Sequence, residues 1–278
     1  MTPGTIAITM AGMGSRFHKA GYTFPKYQIE VGGHFLFDWS MMGLRNYRDA
    51  GWEFFFATRA EDQCGVFLKD RCDALGIALS GMIELNALTD GQATTALFLA
   101  EQATENAPFA VFNIDTFVAP DAIGPAHIPQ GSHGWIPCFP GIGDSWSFAR
   151  ADETGRIHEL REKQRISDDA TIGFYYFSSA SLYRKTYEEF FVGSSGEEKG
   201  ERYIAPMCNQ LIEDGALVTI KRLAFNEVGT LGTPEQVADF SAHPPISAMP
   251  FFQRSPLTCM SSPPKASADA TSSGSESF

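Results

Sequence analysis

Arg16 closes the stretch Met10-Ala11-Gly12-Met13-Gly14-Ser15-Arg16-Phe17, whose residue types suit the holding of phosphate. Two glycines at alternate positions let the backbone approach a ligand closely and turn N–H groups towards it. The guanidinium adds a planar fork that matches phosphate oxygens. Ala11, Gly12, Met13, Gly14 and Ser15 are thus candidates to wrap an anionic ligand, with Arg16 as its counter-charge. The spacing is not that of a Walker loop, and Phe17 stands where the third glycine of G-x-G-x-x-G would be. Taken alone, the stretch fits an ordinary glycine-rich turn between strand and helix equally well. A second cation follows in Phe24-Pro25-Lys26, where the fixed φ of Pro25 makes a rigid turn. Alone, Lys26 fits a solvated surface lysine.

The two halves together are more specific. Gly-x-Gly-Ser-Arg-Phe, then Pro25-Lys26, then Glu30-Val31-Gly32-Gly33 resembles the N-terminal pattern of the sugar-phosphate nucleotidylyltransferases. Further segments match in the same order: Gly91-Gln92-Ala93, Asn113-Ile114-Asp115, Glu162-Lys163, Gly173 to Phe177, Tyr203-Ile204-Ala205-Pro206 and Gly232-Thr233-Pro234-Glu235. The resemblance covers about residues 5 to 240. It implies that the loop wraps a nucleoside triphosphate, with Arg16 and Lys26 on its phosphates and Lys163 on an acceptor phosphate. It also implies that Gly91 and Gln92 lie against the nucleobase, near Glu84, and that Asn113 lies beside the nucleotide. Asp115 is then the ligand of a Mg²⁺ cofactor. Gly143 to Phe148 and Ile166 to Thr171 resemble the capsule-biosynthesis branch, which includes the CTP:phosphoglutamine cytidylyltransferase type. That branch implies CTP as donor and a phosphorylated small molecule as acceptor.

Two positions depart from the pattern. Glu162-Lys163-Gln164 lacks the proline of the usual Glu-Lys-Pro. Thr230 stands where many members carry the second metal-binding aspartate. The nearest acid is Glu227, which takes that place if the backbone loops out, and otherwise reads as a surface carboxylate. Two other readings belong beside the main one. A glycosyltransferase of the GT-A type would share the fold but usually needs a D-x-D motif, where Asn113-Ile114-Asp115 has one acid. A non-catalytic nucleotide-binding regulator would explain Thr230.

Composition removes other classes. With 21 Lys and Arg against 33 Asp and Glu, the net charge is −12, and no basic cluster suits nucleic acid. Six histidines form no H-x-x-x-H or H-E-x-x-H pair, so zinc hydrolysis finds no support. Ser15 is not in G-x-S-x-G. Five cysteines without a C-x-x-C pair suit reduced thiols in a cytoplasmic protein. No signal peptide and no apolar run long enough for a membrane span is expected.

The elements that must position these groups alternate in the first half. Strands are expected at Ile6 to Met10, Glu53 to Thr58, Gly81 to Leu85 and Phe109 to Asn113. Helices are expected at Phe35 to Ala50, Glu61 to Leu75 and Gly91 to Asn106. Such alternation implies a parallel sheet covered on both faces. The second half adds strands at Gly134 to Phe139, Ser145 to Arg150, Arg156 to Glu162 and Ala170 to Phe177. Helices at Ala180 to Phe191 and Tyr203 to Asp214 and a strand at Ala216 to Arg222 complete a mixed extension of that sheet. The fold class is then α/β, and the resemblance implies a Rossmann-like three-layer nucleotidyltransferase (GT-A-like) fold with a mixed central sheet. One domain is expected over 1–243. The Ser- and Pro-rich stretch 244–278 is expected to be a disordered tail, with Phe251-Phe252 either docked or exposed.

Overall fold

The apolar run Thr5–Thr9 (β1) buries side chains on both of its faces, which places it inside a sheet and not at an edge. The computed structural model describes residues 2–193, 196–198 and 200–252. After β1 come the short helix Ser15–Lys19 (α1), a hairpin of Glu30–Val31 (β2) and His34–Phe35 (β3), and helices Leu36–Met42 (α2) and Arg45–Asp49 (α3). Strand Glu53–Arg59 (β4), helix Gly65–Leu75 (α4), strand Leu79–Leu85 (β5), helix Gln92–Ala100 (α5) and strand Phe109–Asn113 (β6) complete the first half. The second half brings strands Thr116–Val118 (β7), Gly134–Pro140 (β8), Ser147–Ala151 (β9), Ile157–Glu162 (β10), Asp169–Thr171 (β11) and Phe174–Phe177 (β12). Helices Ala180–Phe190 (α6) and Ile204–Glu213 (α7), strands Val218–Arg222 (β13) and Val228–Thr230 (β14), and helix Pro234–Ala242 (α8) follow.

Among the described residues the main sheet has ten strands, in the order β10-β9-β11-β8-β12-β6-β1-β4-β5, with β13 beside β8. β1 runs parallel to β4 and β6, with Ile6 opposite Phe54 on one side and Ala110 on the other. β4 runs parallel to β5, whereas β12 is antiparallel to both β6 and β8. The sheet is therefore parallel in its first half and mixed in its second, as the pattern of elements implied.

The period-two alternation of a strand divides the core into layers. Ile6, Ile8, Phe54, Phe56, Ala110 and Phe112 turn to the side of α2, α3 and α4, where Phe37, Tyr47 and Leu68 lie. Ala7, Phe55, Ala57, Phe109 and Val111 turn to the side of α5, α6 and α7, with Leu99, Tyr183 and Leu211. Fully burying one such aromatic or aliphatic side chain contributes about 1.5–3 kcal/mol. The two layers therefore lock the strands that carry the cleft residues.

Some elements differ from the sequence reading. The expected helix from 35 to 50 is two helices that part at Gly43 and Leu44, as the low helix propensity of glycine allows. The helix expected from Glu61 starts only at Gly65, because Gln63 adopts a left-handed conformation (φ 46°). The expected strand from 170 to 177 is broken at Gly173 (φ 78°) into β11 and β12. The small sheet of β7 and β14 was not expected, and it turns out to hold the cleft.

The folded unit runs on past His243 to Phe252. Phe252 stacks on Trp39 and Phe240, with ring centroids 4.9 and 5.6 Å apart, and His34 Nε2 bonds the Phe251 carbonyl at 2.9 Å. The rest of the stretch 244–278 lies outside the described residues. No described helix is long and apolar enough to cross a membrane.

Candidate active site

Strands β1, β4, β5 and β6 all end on the same side of the sheet, at Thr9, Arg59, Leu85 and Asn113. The chain leaves β1 for β4 past helices on one face, and returns from β5 to β6 past α5 on the other. Neighbouring strands whose connections diverge in this way leave a crevice at their carboxyl ends. A cleft of about 380 Å³ lies there, and its lining includes Arg16, Gln92, Asn113, Asp115, Trp146 and Lys163. Residues far apart in sequence thus meet in one place.

The glycine loop forms one rim. Gly14 is left-handed (φ 60°) and starts α1, whose Phe17 is buried against Trp39 and Phe117 in a third apolar cluster and anchors the turn. Gly12, Met13, Ser15 and Arg16 are exposed, while Ala11 is buried at the end of β1. Arg16 faces the cleft; Met13 and Ser15 face a separate shallow depression with His18, Lys19 and Arg59. Pro25 leads into a tight turn at Lys26–Gln28, closed by Gln28 N–H to the Pro25 carbonyl at 2.9 Å. That turn aims Lys26 Nζ at Asp115 Oδ1, with which it forms an ion pair.

Asn113, the last residue of β6, and Asp115, just beyond it, stand on the opposite wall. Leu231 N–H bonds the Asp115 carbonyl at 2.7 Å, and the β7–β14 ladder sets Thr230 opposite Thr116. The turn at Gly232 then packs on Asp115, fixed by Gly232 N–H to Gln236 Oε1 at 2.9 Å. Asn113 is pressed by Gly173, where a Cβ would stand 2.3 Å from its Nδ2. Its Oδ1 is buried with no hydrogen-bond partner among the described residues.

Lys163 forms the far wall. Its backbone is left-handed (φ 49°) and its N–H bonds the Trp146 carbonyl at 2.9 Å. Its ammonium donates to the Tyr203 hydroxyl at 2.9 Å and lies 3.1 Å from the buried Glu162 carboxylate. Burial works against this charge, but the Tyr203 hydrogen bond and the Glu162 carboxylate outweigh it and hold the lysine pKa above its ordinary value. Behind it runs a line of hydroxyls. Ser147 donates to Glu162, Tyr175 donates to Ser147 at 3.5 Å, and Thr171 Oγ1 lies 2.9 Å from the Tyr175 oxygen. Burial pushes the Tyr175 phenol well above its usual range, so it stays protonated. Trp135 is fully buried core, whereas Trp146 lines the cleft and bonds the Ile142 carbonyl through Nε1 at 3.0 Å.

Glu227, Glu84 and Gly91, like Met13 and Ser15, lie off the cleft lining. Glu227 Oε2 accepts from its own Ala224 N–H at 2.7 Å, and its carbonyl accepts from Ala119 N–H. It therefore lies level with Ala119, four residues along the ladder from Asp115, or roughly 13 Å at the usual strand rise. The backbone forms a regular ladder and does not loop out, so Glu227 is no partner to Asp115. Glu84 is exposed on the edge strand β5, opposite Thr58, and does not line the cleft. Gly91 supports the cleft without lining it. A Cβ there would stand 2.4 Å from the Arg202 carbonyl, and this close approach lets Ala93 N–H bond that carbonyl at 3.0 Å. Arg202 is then tied to Tyr187, Glu197 and Asp90, at 2.7, 3.0 and 3.1 Å. The effect is to place Tyr203 at Lys163. Ser147, Thr171 and Tyr175 fall inside segments singled out by resemblance, but none was a candidate by itself, because lone hydroxyls on strands are ordinary.

Among the described residues no three His, Cys, Asp or Glu side chains gather as a metal cage. Asp115 is one carboxylate among the neutral oxygens of Asn113, Thr116 and Gln236. Once parted from Lys26, the half-exposed Asp115 carboxylate could hold a magnesium ion whose other ligands are phosphate oxygens and water.

The fold and the cleft define a nucleotidyltransferase, built on a mixed central sheet with the site at its carboxyl edge. The nucleoside-diphosphate-sugar pyrophosphorylase of Vibrio cholerae RC9 is 38% identical and superposes with a TM-score of 0.78, over 86% of this chain and 100% of that one. The chain accordingly belongs to the sugar-phosphate nucleotidylyltransferase family and is an enzyme of that class. The inositol-1-phosphate CTP transferase of T. maritima shares the fold at 15% identity, with a TM-score of 0.68 over 85% of this chain and 92% of that one. No protein-family model and no curated protein matches the chain.

Proposed function

We propose that the cleft joins the nucleoside monophosphate of an NTP, with CTP favoured, to a phosphorylated small-molecule acceptor and releases pyrophosphate. The carrying observation is that one cleft gathers Arg16, Asp115 and Lys163 from three separate regions, with Lys26 reaching in to Asp115. An acceptor phosphate oxygen attacks the α-phosphorus in line. The new P–O bond forms as the bond to the β-phosphate bridging oxygen breaks, and its electron pair leaves with pyrophosphate. Attacker and target are both anionic, so neutralising charge and fixing geometry are the protein's main tasks. Lys163 holds the acceptor phosphate, and Glu162 and Tyr203 keep its ammonium charged and in place. Lys26 and Arg16 hold the triphosphate against the glycine loop, where Arg16 stabilises charge on the leaving group. Asn113, set by the close approach of Gly173, borders the nucleotide. Gln92, whose Nε2 bonds Thr9 Oγ1 at 3.0 Å, borders the nucleotide end. Asp115 would hold Mg²⁺, which would supply positive charge to screen the triphosphate.

The preference for CTP and a role in capsule or surface polysaccharide synthesis rest on the two branch-like segments. Arg165 joins them, donating to the Gly141 and Gly143 carbonyls at 2.9 and 2.8 Å and to Asp168 at 2.6 Å. They border the Lys163 end through Trp146, where an acceptor would be read. A nucleoside triphosphate donor is what supports reading the enzyme as cytoplasmic. The chain is read as one catalytic domain followed by a Ser- and Pro-rich tail.

A matrix of four triphosphates against phosphorylated sugars, polyols and amino acids, read by pyrophosphate release, tests the proposal. CTP with one acceptor class should stand out. Lys26→Ala and Asp115→Ala should each cut that release by roughly a hundredfold or more. Release of free nucleoside diphosphate without pyrophosphate would instead mean a glycosyltransferase.

A further inference from the structure

Lys26 and Asp115 already satisfy each other in this cleft. The lysine side chain is 18% exposed and the aspartate 33%, so water screens the pair only partly. Lys26 occupies Oδ1, and the Gly232 turn backs Oδ2, with a Cβ position there 3.5 Å away. No group of three His, Cys, Asp or Glu side chains forms a cation site here among the described residues. A divalent ion would meet one carboxylate, already neutralised, and could not share its oxygen with an ammonium at contact distance.

From this we infer that Lys26 is the stand-in for the metal: its ammonium compensates Asp115 in the free protein and moves to a phosphate oxygen only when metal and triphosphate enter together. The inference rests on the nucleotidyl-transfer reading of the cleft. The geometry supports such an exchange. Pro25 and the turn after it fix the Lys26 backbone, with Ile29 N–H bonding the Lys26 carbonyl at 3.1 Å, so only the flexible side chain has to swing. Its Cβ stands 3.9 Å from the position a Cβ would take at Gly14. The released ammonium therefore remains beside the glycine loop that receives the phosphates. Two consequences follow for binding. The free protein takes up metal poorly, because binding must first break an ion pair. It also takes up metal-free triphosphate poorly, because Asp115 both repels phosphate and holds the lysine that should bind it.

Inorganic tripolyphosphate is a base-independent probe for these terms, and Mn²⁺ followed by electron paramagnetic resonance reports the metal. Four proteins are compared: wild type, Lys26→Met, Asp115→Asn and the double variant, each checked for folding by circular dichroism and thermal melting. Wild type should bind Mn²⁺ alone only at millimolar levels and at least tenfold more tightly with tripolyphosphate present. Lys26→Met should bind Mn²⁺ alone at least threefold more tightly than wild type. In EDTA, Asp115→Asn should raise tripolyphosphate affinity, and the gain should be at least threefold larger with Lys26 present than in the Lys26→Met background. Equal gains in both backgrounds, or equal Mn²⁺ affinity of wild type and Lys26→Met, would overturn the exchange. Wild type that binds no tripolyphosphate even with Mn²⁺ would overturn the nucleotidyl-transfer reading as well. Because the Mn²⁺ comparison needs only wild type and Lys26→Met, instability of Asp115→Asn leaves a decisive result.

Discussion

Lys163 carries a conformational burden that the proposed role accounts for. A left-handed backbone at a non-glycine residue costs about 1–3 kcal/mol, and here it turns the side chain from the end of β10 into the cleft. The ammonium then depends on Tyr203 and Glu162. Replacing Lys163 by alanine should lower kcat/KM for the acceptor by about a hundredfold to a thousandfold, in line with loss of one oxyanion donor. KM for the nucleotide should change little, because Arg16 and Lys26 remain. Tyr203→Phe makes a finer test with a definite sign. The hydroxyl is one of the groups that raise the lysine pKa, so removing it lets burial pull that pKa down. Wild type should stay active to a pH above the ordinary lysine value before Lys163 loses its proton. In Tyr203→Phe the alkaline fall in acceptor kcat/KM should begin at lower pH. An unmoved alkaline limb would mean that another group sets it.

Elements explain what could be read in sequence and what could not. The parallel half was legible because continuous apolar runs such as Phe54, Phe55 and Phe56 are buried on both faces, and this pattern needs no partner to be recognised. Arg16 stood out through its glycine loop, whereas Asp115 and Lys163 were marked only by the short segments that resemble the family pattern. Glu227 was misplaced because its position depends on the register of β14 with β7, two three-residue strands without any periodicity to read. Gly91 illustrates a different limit, since its neighbour in space is Arg202. Only the folded chain shows that this glycine seats the segment that carries Tyr203. Gly91→Ala should therefore push Arg202 outward and act on the acceptor end. Its backbone conformation (φ 146°, ψ 177°) belongs almost wholly to glycine, so the strain alone should cost about 1–3 kcal/mol. The expected outcome is a lower melting temperature and a raised acceptor KM, with nucleotide binding by calorimetry less affected. A raised nucleotide Kd with an unchanged acceptor KM would show that Gly91 serves the nucleobase instead.

At the scale of the whole molecule, the C-terminal end of the folded unit and the cleft share α8. Its Phe240 packs with Trp39 and Phe252, while Gln236, one turn earlier, holds Gly232 against Asp115. The Phe252 ring thus supports, through one helix, the turn that packs on the Asp115 carboxylate. By contrast, the Ser- and Pro-rich sequence after Phe252 has little apolar surface with which to add to the core. Two truncations separate these contributions. Ending the chain after Phe252 should leave melting temperature and pyrophosphate release unchanged. Ending it after His243 removes Phe251 and Phe252, bares Trp39, and should cost about 2–4 kcal/mol. For a domain of this size that lowers the melting temperature by roughly 4–16 °C. If the helix transmits the loss, Mn²⁺ affinity in the presence of tripolyphosphate should fall along with stability. Phe252→Ala, a smaller change, should reproduce both effects in reduced form. A melting temperature that falls while metal affinity stays constant would confine the aromatic latch to stability and leave the Gly232 turn held by Gln236 alone.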